Sequence, residues 1–240
     1  MIKAIFFDLD GTLLPMDERE FVKIYFYSLS EKLRQYNYEQ KQLIDTIIKG
    51  TELMYRNVGP LSNEEVFFSY FKSVYGEEKL QDKKYFDEYY LNEFLTTKNA
   101  CGENPFAKEI VNFCKDNFEK VILSTNPIFP LIATKKRMGF VGLTMDDFDY
   151  VTSYENCCNC KPNPQYFIDL LEKFNLKPEE VILFGNNTYE DGECALKAGI
   201  RCILVGETLI NHPKSTHEFE HIKIEEVIPL LQNILKIENK

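Results

Sequence analysis

Short runs of apolar residues alternate along this chain with longer segments in which apolar residues return every three or four positions. The runs lie at 2–8, 120–124, 150–153, 181–185 and 201–205. Because they are short and rich in β-branched and aromatic residues, they indicate strands, whereas the three-to-four spacing between them indicates helices. This alternation predicts an α/β fold, in which helices flank a parallel sheet core.

Residues 15–98 interrupt the alternation with a helical pattern alone. Four amphipathic segments lie at 17–36, 39–58, 62–75 and 82–95. Ser62 and Glu65 have the spacing of a capping box, which predicts a helix start, and Gly59-Pro60 ends the preceding helix. We therefore expect a core domain formed by 1–14 and 99–240, with a helical domain inserted at 15–98.

Polar residues directly follow three of the predicted strands. A parallel sheet places its ligand site at the carboxyl ends of its strands, so these side chains should meet at one rim. They are Asp8, Asp10, Thr125, Asn126, Asn186 and Asn187.

The first of these groups, D-L-D-G-T-L at 8–13, has the most specific pattern. Asp8 and Asp10 flank one apolar residue at a strand end, so their carboxylates can point the same way, while Gly11 allows a sharp turn. A strand-ending turn with two capping acids is the alternative, and it is less favoured because the whole apolar run precedes the motif.

An apolar strand followed by DxDGT resembles the first motif of the haloacid dehalogenase-like hydrolase superfamily, and the later motifs follow in the expected order along the whole chain. The resemblance implies a Rossmann-like core with a helical cap of the first cap class. It implies that Asp8 attacks phosphorus to form an aspartyl-phosphate, while Asp10 exchanges protons with the leaving oxygen and the water. Dehalogenase members lack the second aspartate, so Asp10 favours a phosphatase.

The second and third motifs supply phosphate-binding groups by the same resemblance. Thr125 matches the hydroxyl residue of the second motif better than Ser124, and we expect Asn126 and Gly11 to help hold phosphate. Pro127 is expected to open a helix whose dipole assists. Lys161 matches the lysine of the third motif, where it would neutralise charge in the transition state. Helix capping by Thr125 and a solvated surface position for Lys161 are the alternatives.

The fourth motif, beginning at Gly185, has amides where relatives carry an acid. In the register GDxxxxD the substituted residue is Asn186, and in the register GNDxxxD it is Asn187; Asp191 supplies the other acid. The resemblance implies Mg²⁺ bound by Asp8, by the backbone carbonyl oxygen of Asp10, by Asp191 and by these amides. An amide oxygen can still bind Mg²⁺, but the lost charge predicts weaker affinity. Alternatively, Asp191 only stabilises the start of its helix.

The function that these motifs predict is a magnesium-dependent phosphatase acting on a small phosphorylated metabolite. The alternative is a catalytically weak relative that binds a phosphorylated ligand without efficient turnover. Sugar phosphates, nucleotides and phosphoglycolate-like acids all remain open as substrates. Lys49, Tyr55 and Arg56 are plausible contacts in the cap, although solvated helix faces explain them equally well.

Composition narrows the partners and the compartment. A net charge of -10 leaves no basic face for nucleic acid. No apolar run approaches the roughly 20 residues of a membrane span. The seven cysteines and the absence of a secretory pattern at the first residues predict a cytoplasmic protein. The Cys157 and Cys160 pair lacks the second pair of a zinc site, and His212, His217 and His221 are expected in a surface loop.

Overall fold

The structure, a computed structural model, describes residues 1–238 and contains one sheet of six parallel strands. The strand order is β3-β2-β1-β4-β5-β6, so β1 lies between β2 and β4. The predicted α/β fold is confirmed, and the five predicted strands are present with some ends shortened. The strands are β1 Ala4–Phe7, β2 Lys120–Leu123, β3 Tyr150–Val151, β4 Val181–Gly185, β5 Arg201–Val205 and β6 Glu220–Ile222.

Strand β6 corrects one sequence-based expectation. The segment that contains the three histidines was expected to be a surface loop, but His221 lies within β6, which pairs with the edge of β5. His212 and His217 do lie in the connection that precedes it. The sequence pattern missed β6 because this strand has three residues, two of them exposed, and is held by backbone pairing rather than by an apolar face.

Nine α-helices accompany the sheet within the described residues. Four of them, together with two 3₁₀-helices at Glu77–Asp82 and Glu93–Ala100, fill the chain between β1 and the first helix of the sheet layer. The capping box at Ser62 is confirmed. The helices are α1 Glu18–Arg34, α2 Gln40–Tyr55, α3 Asn63–Tyr75, α4 Lys83–Leu91, α5 Ala107–Asn117, α6 Leu131–Phe140, α7 Gln165–Phe174, α8 Cys194–Lys197 and α9 Val227–Glu238.

The helix after β2 begins later than expected, so the prediction that Pro127 opens it is wrong. Helix α6 starts at Leu131, directly after Pro130. A proline disfavours the helical conformation of the residue before it, so Phe129 cannot belong to a helix that continues through Pro130. The Leu131 N–H donates to the carboxylate of Glu155, at 2.9 and 3.0 Å from its two oxygens, so a protein acid already occupies this helix start.

The apolar core has two parts, one on each face of the sheet. Ile5 and Phe7 of β1 face a large cluster that continues through Phe21 and Tyr25 of α1. Phe6, which lies between them in β1, packs on the opposite face of the sheet with α7 and α8. Side chains alternate across a strand, so the strand that carries Asp8 is held from both faces. No helix within residues 1–238 is long and apolar enough to span a membrane.

Candidate active site

The carboxyl ends of β1, β2 and β4 meet at one cavity of about 280 Å³, which we call the catalytic cavity. Most of the residues singled out in the sequence line it, since these three strands are neighbours in the sheet. They are Asp8, Asp10, Thr125, Asn126, Lys161, Asn186, Asn187 and Asp191. Gly11 is the exception, since it lines a neighbouring cavity instead.

Lys161 bridges the acids of the first and fourth motifs. Its Nζ donates to Oδ1 of Asp8 at 2.7 Å and to Oδ1 of Asp191 at 2.6 Å. The side chain of Lys161 is 1% exposed, so the surface position considered as an alternative is excluded. A buried ion is stable only when it is paired, and this triad pairs one cation with two carboxylates.

The charges of the triad shift the pKa values of its members. Burial raises the pKa of Asp8 to about 8, helped by the charges of Asp191 and Asp10 and opposed by the Lys161 ammonium. Burial acts to lower the pKa of Lys161, but the charges of Asp191 and Asp8 outweigh it and hold that pKa well above its usual value. Lys161 is therefore a permanent cation beside Asp8, as charge neutralisation in a transition state requires.

Asp191 also shapes the loop after β4. Its Oδ2 accepts the backbone N–H groups of Asn186 and Asn187, each at 3.0 Å. This approach needs a glycine before the loop, because a Cβ on Gly185 would lie 2.5 Å from Cγ of Asp191. Both oxygens of Asp191 thus already accept hydrogen bonds from protein groups, and the residue anchors the fourth motif to Lys161.

The two asparagines of this loop have different surroundings. Asn187 caps the following helical turn, since its Oδ1 accepts the N–H groups of Tyr189 at 3.0 Å and Glu190 at 3.1 Å. Asn186 is 3% exposed, and its Nδ2 donates to the carbonyl oxygen of Thr208 at 2.9 Å. The side-chain oxygen of Asn187 is therefore used for capping, whereas the amide of Asn186 lies against the first motif.

Gly11 permits the contact between the first and fourth motifs. Its φ of +82° lies in the left-handed region, and a Cβ at this position would stand 2.0 Å from Nδ2 of Asn186. The Thr208 hydroxyl donates to the Gly11 carbonyl oxygen at 2.6 Å, which ties both motifs to the chain after β5. The residue thus serves the packing of the two loops.

Arg137 is a site residue that the sequence analysis missed. It lies on α6 at 2% exposure, forms an ion pair with Oδ2 of Asp10, and stacks its guanidinium over the Phe129 ring at 4.6 Å. Oδ1 of Asp10 is buried without a hydrogen-bond partner. A clue existed in the spacing: Ala133 and Arg137 lie four positions apart and share the buried face of α6.

Residues of the helical segment close the other side of the catalytic cavity. The Tyr55 hydroxyl of α2 lies 3.4 Å from Oε1 of Glu190 and accepts from Nδ2 of Asn126 at 3.3 Å. Burial raises the pKa of Glu190, and also that of Glu18 at the start of α1. Of the three cap contacts considered in the sequence, Tyr55 lines the cavity, whereas Lys49 and Arg56 do not.

Thr125 lines the cavity from the end of β2 and is itself 2% exposed. Its carbonyl oxygen is held by two hydroxyls, those of Thr152 at 2.7 Å and Tyr166 at 2.9 Å. The backbone that presents Thr125 is therefore fixed from the side of β3 and α7. Because α6 begins only at Leu131, Thr125 does not cap that helix.

The donor atoms around Asp8 suit a hard cation better than a soft one. Among residues 1–238, no three His, Cys, Asp or Glu side chains are arranged to hold a metal ion by themselves. The catalytic cavity does contain carboxylate and amide oxygens, which Mg²⁺ prefers together with waters that it retains. The residues present therefore fit magnesium.

Comparisons with known proteins show which family this chain resembles. A family model described as haloacid dehalogenase-like hydrolase matches residues 2–199. A Thermotoga maritima protein named phosphorylated carbohydrates phosphatase is 25% identical over 241 residues, which cover 98% of this chain and 100% of the relative.

Two solved structures have the same fold at low sequence identity. The HAD phosphatase from Thermococcus onnurineus matches with a TM-score of 0.59 and 18% identity, covering 96% of this chain and 98% of its own. The 2-haloacid dehalogenase from Pseudomonas syringae pv. Tomato matches with a TM-score of 0.66 and 18% identity, covering 97% and 99%. At this identity the likeness shows the fold alone.

Proposed function

The chain belongs to the haloacid dehalogenase-like hydrolases, and we propose that it is a magnesium-dependent phosphatase that acts on a small phosphorylated metabolite. The observation that carries the proposal is the shared cavity in which Asp8 and Asp10 stand with Lys161 and Thr125. A carboxyl group that attacks in its ionised form, a second acid, a fixed cation and a hydroxyl are the groups that transfer of a phosphoryl group needs.

In the first step, Oδ2 of Asp8 attacks phosphorus and the bond to the leaving oxygen breaks. That oxygen takes a proton from Asp10, so the alcohol departs neutral and an aspartyl-phosphate remains. Lys161 hydrogen-bonds the other oxygen, Oδ1 of Asp8, which leaves Oδ2 free for this attack apart from a long 3.4 Å contact with the Thr12 hydroxyl.

In the second step, Asp10 takes a proton from water, the water oxygen attacks phosphorus, and the aspartyl bond breaks. Inorganic phosphate leaves and both acids return to their starting states. The Arg137 guanidinium holds Oδ2 of Asp10, so the proton is carried at Oδ1, the oxygen that has no protein partner. Arg137 is thus a positioning residue for the acid and base.

We propose that Mg²⁺ is held by Asp8, by the backbone carbonyl oxygen of Asp10 and by Asn186. When bound, the ion supplies positive charge that lets an anionic carboxylate approach an anionic phosphoryl group. Asn187 is less suited because its side-chain oxygen caps a helical turn. Asp191 has less acceptor capacity left than Asp8, because it already accepts three short hydrogen bonds and Asp8 accepts one. Asn186 would then be the position at which the fourth motif lacks the negative charge of an acid.

Asp10 also favours a phosphatase over a dehalogenase. Departure of a halide needs no proton, whereas an alkoxide does, and a positioned second acid is useful only for the latter. The phosphatase named among the relatives supports the same choice. We further propose the helical segment at 15–98 as a cap over a core formed by 1–14 and 99–240, and a cytoplasmic location, which suits the seven free cysteines.

The test is release of phosphate from p-nitrophenyl phosphate across a magnesium titration. We expect turnover that depends on magnesium and falls by at least about a thousandfold in Asp8→Asn. Asp116→Asn, on the exposed surface of α5, is the matched control and should behave as the wild type. No turnover at any magnesium concentration would instead support a catalytically weak binder, and equal turnover in Asp8→Asn would exclude the proposed nucleophile.

A further inference from the structure

A second cavity lies beside the catalytic cavity, within the helical segment, and has a volume of about 300 Å³. We call it the apolar cavity. Its walls come from α1, α2, α3 and α4 and from the segment 128–130, and most of its lining is hydrocarbon. Characteristic residues are Ile47, Ile48, Met54, Phe67, Phe68 and Phe86. A volume of this size lies at the lower end of the range of small-molecule sites.

The two cavities share a wall. Val22, Tyr55, Ile128 and Phe129 line both, so the apolar cavity adjoins the space above Asp8 rather than lying elsewhere on the surface. Phe129 also carries the guanidinium of Arg137, which holds Asp10. We expect the part of a substrate attached to the leaving oxygen to extend from Asp10 across this shared wall, where it would contact hydrocarbon.

The polar groups of the apolar cavity are largely engaged with one another. The hydroxyls of Tyr25 and Tyr90 lie 3.0 Å apart and form a hydrogen bond. At the rim, Lys83 pairs with Asp87 at 3.2 Å. A sugar that entered would exchange its hydrogen bonds with water for contacts with hydrocarbon, which is unfavourable, whereas an apolar group would gain from the same transfer.

The charges in the catalytic cavity also favour a substrate whose leaving group is uncharged. Its basic side chains in the described part of the chain, Lys161 and Arg137, are already paired with acids. Two further acids, Glu18 and Glu190, line the same space. A second phosphate or a carboxylate on the leaving group would meet negative charge and find no unpaired cation.

We infer that the substrate is a phosphate monoester of an uncharged, predominantly apolar alcohol, aromatic or branched aliphatic, whose hydrocarbon part occupies the apolar cavity. This inference rests on the proposed phosphatase function and names its substrate class. Sugar phosphates, nucleotides and phosphoglycolate-like acids are disfavoured by the same features. The product that leaves with phosphate is the free alcohol.

The test compares esters of primary alcohols, whose leaving oxygens have similar basicity, on the full chain with Mg²⁺. We expect kcat/KM for 2-phenylethyl phosphate to exceed the values for glucose 6-phosphate and glycerol 3-phosphate by at least about tenfold, the discrimination typical of an apolar pocket. A preference for either polar ester overturns the inference but leaves the phosphatase intact. Absence of turnover on every ester and on p-nitrophenyl phosphate overturns both.

A pair of variants locates the preference in the apolar cavity. Ile48 lines it yet is 45% exposed, so Ile48→Asp should fold, and it should lower the ratio of kcat/KM for 2-phenylethyl phosphate over glycerol 3-phosphate at least about fivefold. Leu91→Asp, at a similarly exposed position outside the cavity, should leave that ratio unchanged. Equal ratios in both variants would place the preference elsewhere and contradict the inference.

Inhibition of the wild-type enzyme gives a second measurement that depends on no variant. 2-Phenylethanol should inhibit hydrolysis of p-nitrophenyl phosphate competitively, at concentrations at least about tenfold below those needed with glycerol. Equal inhibition by the two alcohols would contradict occupation of the apolar cavity by the leaving group.

Discussion

The catalytic cavity and the apolar cavity share a wall but are built in opposite ways. In the first, buried charges are held in pairs and triads, as around Lys161 and between Arg137 and Asp10. In the second, aromatic and aliphatic side chains pack without charge, apart from pairs at the rim. The difference separates the two tasks of the site: paired charges perform chemistry at phosphorus, and hydrocarbon selects what is attached to it.

The largest expected effect comes from removing the cation of the catalytic cavity. Lys161→Met leaves Asp8 and Asp191 buried without a cation, so we expect the free energy of unfolding to fall by about 3–5 kcal/mol. Turnover should fall at least about a hundredfold. Thermal and denaturant unfolding, with phosphate release, measure both effects.

The pH dependence of this variant follows from the same acids. Without the ammonium, burial holds the pKa of Asp8 further above its usual 3.8, so the folded state binds a proton that the unfolded state releases. The stability of both proteins should therefore decline as the pH rises above about 4; in the wild type this decline ends near the Asp8 pKa of about 8, and in the variant it continues to higher pH. Lys49→Met, which removes an exposed cation paired with Glu52, should leave stability close to that of the wild type. Equal stability of both variants would mean that the triad is not a buried ion pair.

The next effect concerns the positioning of Asp10. Arg137→Lys keeps the charge but loses the planar fork and the stacking on Phe129, so protonation of the leaving oxygen should suffer. We expect kcat on phenyl phosphate to fall about tenfold or more, and kcat on p-nitrophenyl phosphate to fall less, because its better leaving group needs no proton. Arg201→Lys, at an exposed pair with Glu220, is the control. An equal loss on both esters would show a structural role only.

A smaller effect is expected from restoring the missing acid of the fourth motif. Asn186→Asp should tighten magnesium binding by about threefold to tenfold, because it adds a charge beside the first motif. Asn187→Asp should change it less, since an aspartate can cap the same helical turn as the asparagine does. Calorimetric titration with Mg²⁺ measures this directly, without substrate. Tighter magnesium binding in Asn187→Asp than in Asn186→Asp would show that Asn187, not Asn186, lies at the magnesium site.

The smallest effect is expected at the wall between the two cavities. The Tyr55 hydroxyl makes only long hydrogen bonds, at 3.3 Å to Asn126 and 3.4 Å to Glu190. Tyr55→Phe should therefore raise KM by no more than about threefold and leave kcat unchanged. Steady-state kinetics measure both constants. Tyr27→Phe, which removes an exposed hydroxyl of α1, is the control. A large loss of kcat would give Tyr55 a part in the chemistry.

Much of the catalytic cavity could be predicted from the sequence because one geometrical rule governs it. Residues that follow neighbouring parallel strands must meet at one rim, and Asp8, Thr125 and Asn186 do. Lys161 precedes a helix rather than following a strand, so its position beside Asp8 could be predicted only from the family resemblance. Which of the two asparagines lies against the first motif could be decided only from side-chain contacts, and the spacing of residues does not reveal these.

Other features depend on contacts between distant parts of the chain. Arg137 stands among consecutive basic residues, which reads as a solvated face, and only the fold buries it against Asp10. The start of α6 depends on Pro130 and on the carboxylate of Glu155, twenty-four residues away from Leu131. The apolar cavity is formed by side chains that would each read as ordinary core residues, since a helical pattern does not distinguish a filled core from a pocket.

The central claim, that Asp8 carries the phosphoryl group, is tested most directly by trapping that group on the protein. Asp10→Asn should still form the intermediate from p-nitrophenyl phosphate, whose leaving group needs no proton, but should hydrolyse it slowly. Mass spectrometry of the acid-quenched variant should then find one phosphoryl group on the peptide that contains Asp8, and none when Asp8→Asn is added. Phosphate release from Asp8→Asn at the wild-type rate, with no phosphorylated peptide in either protein, would contradict it.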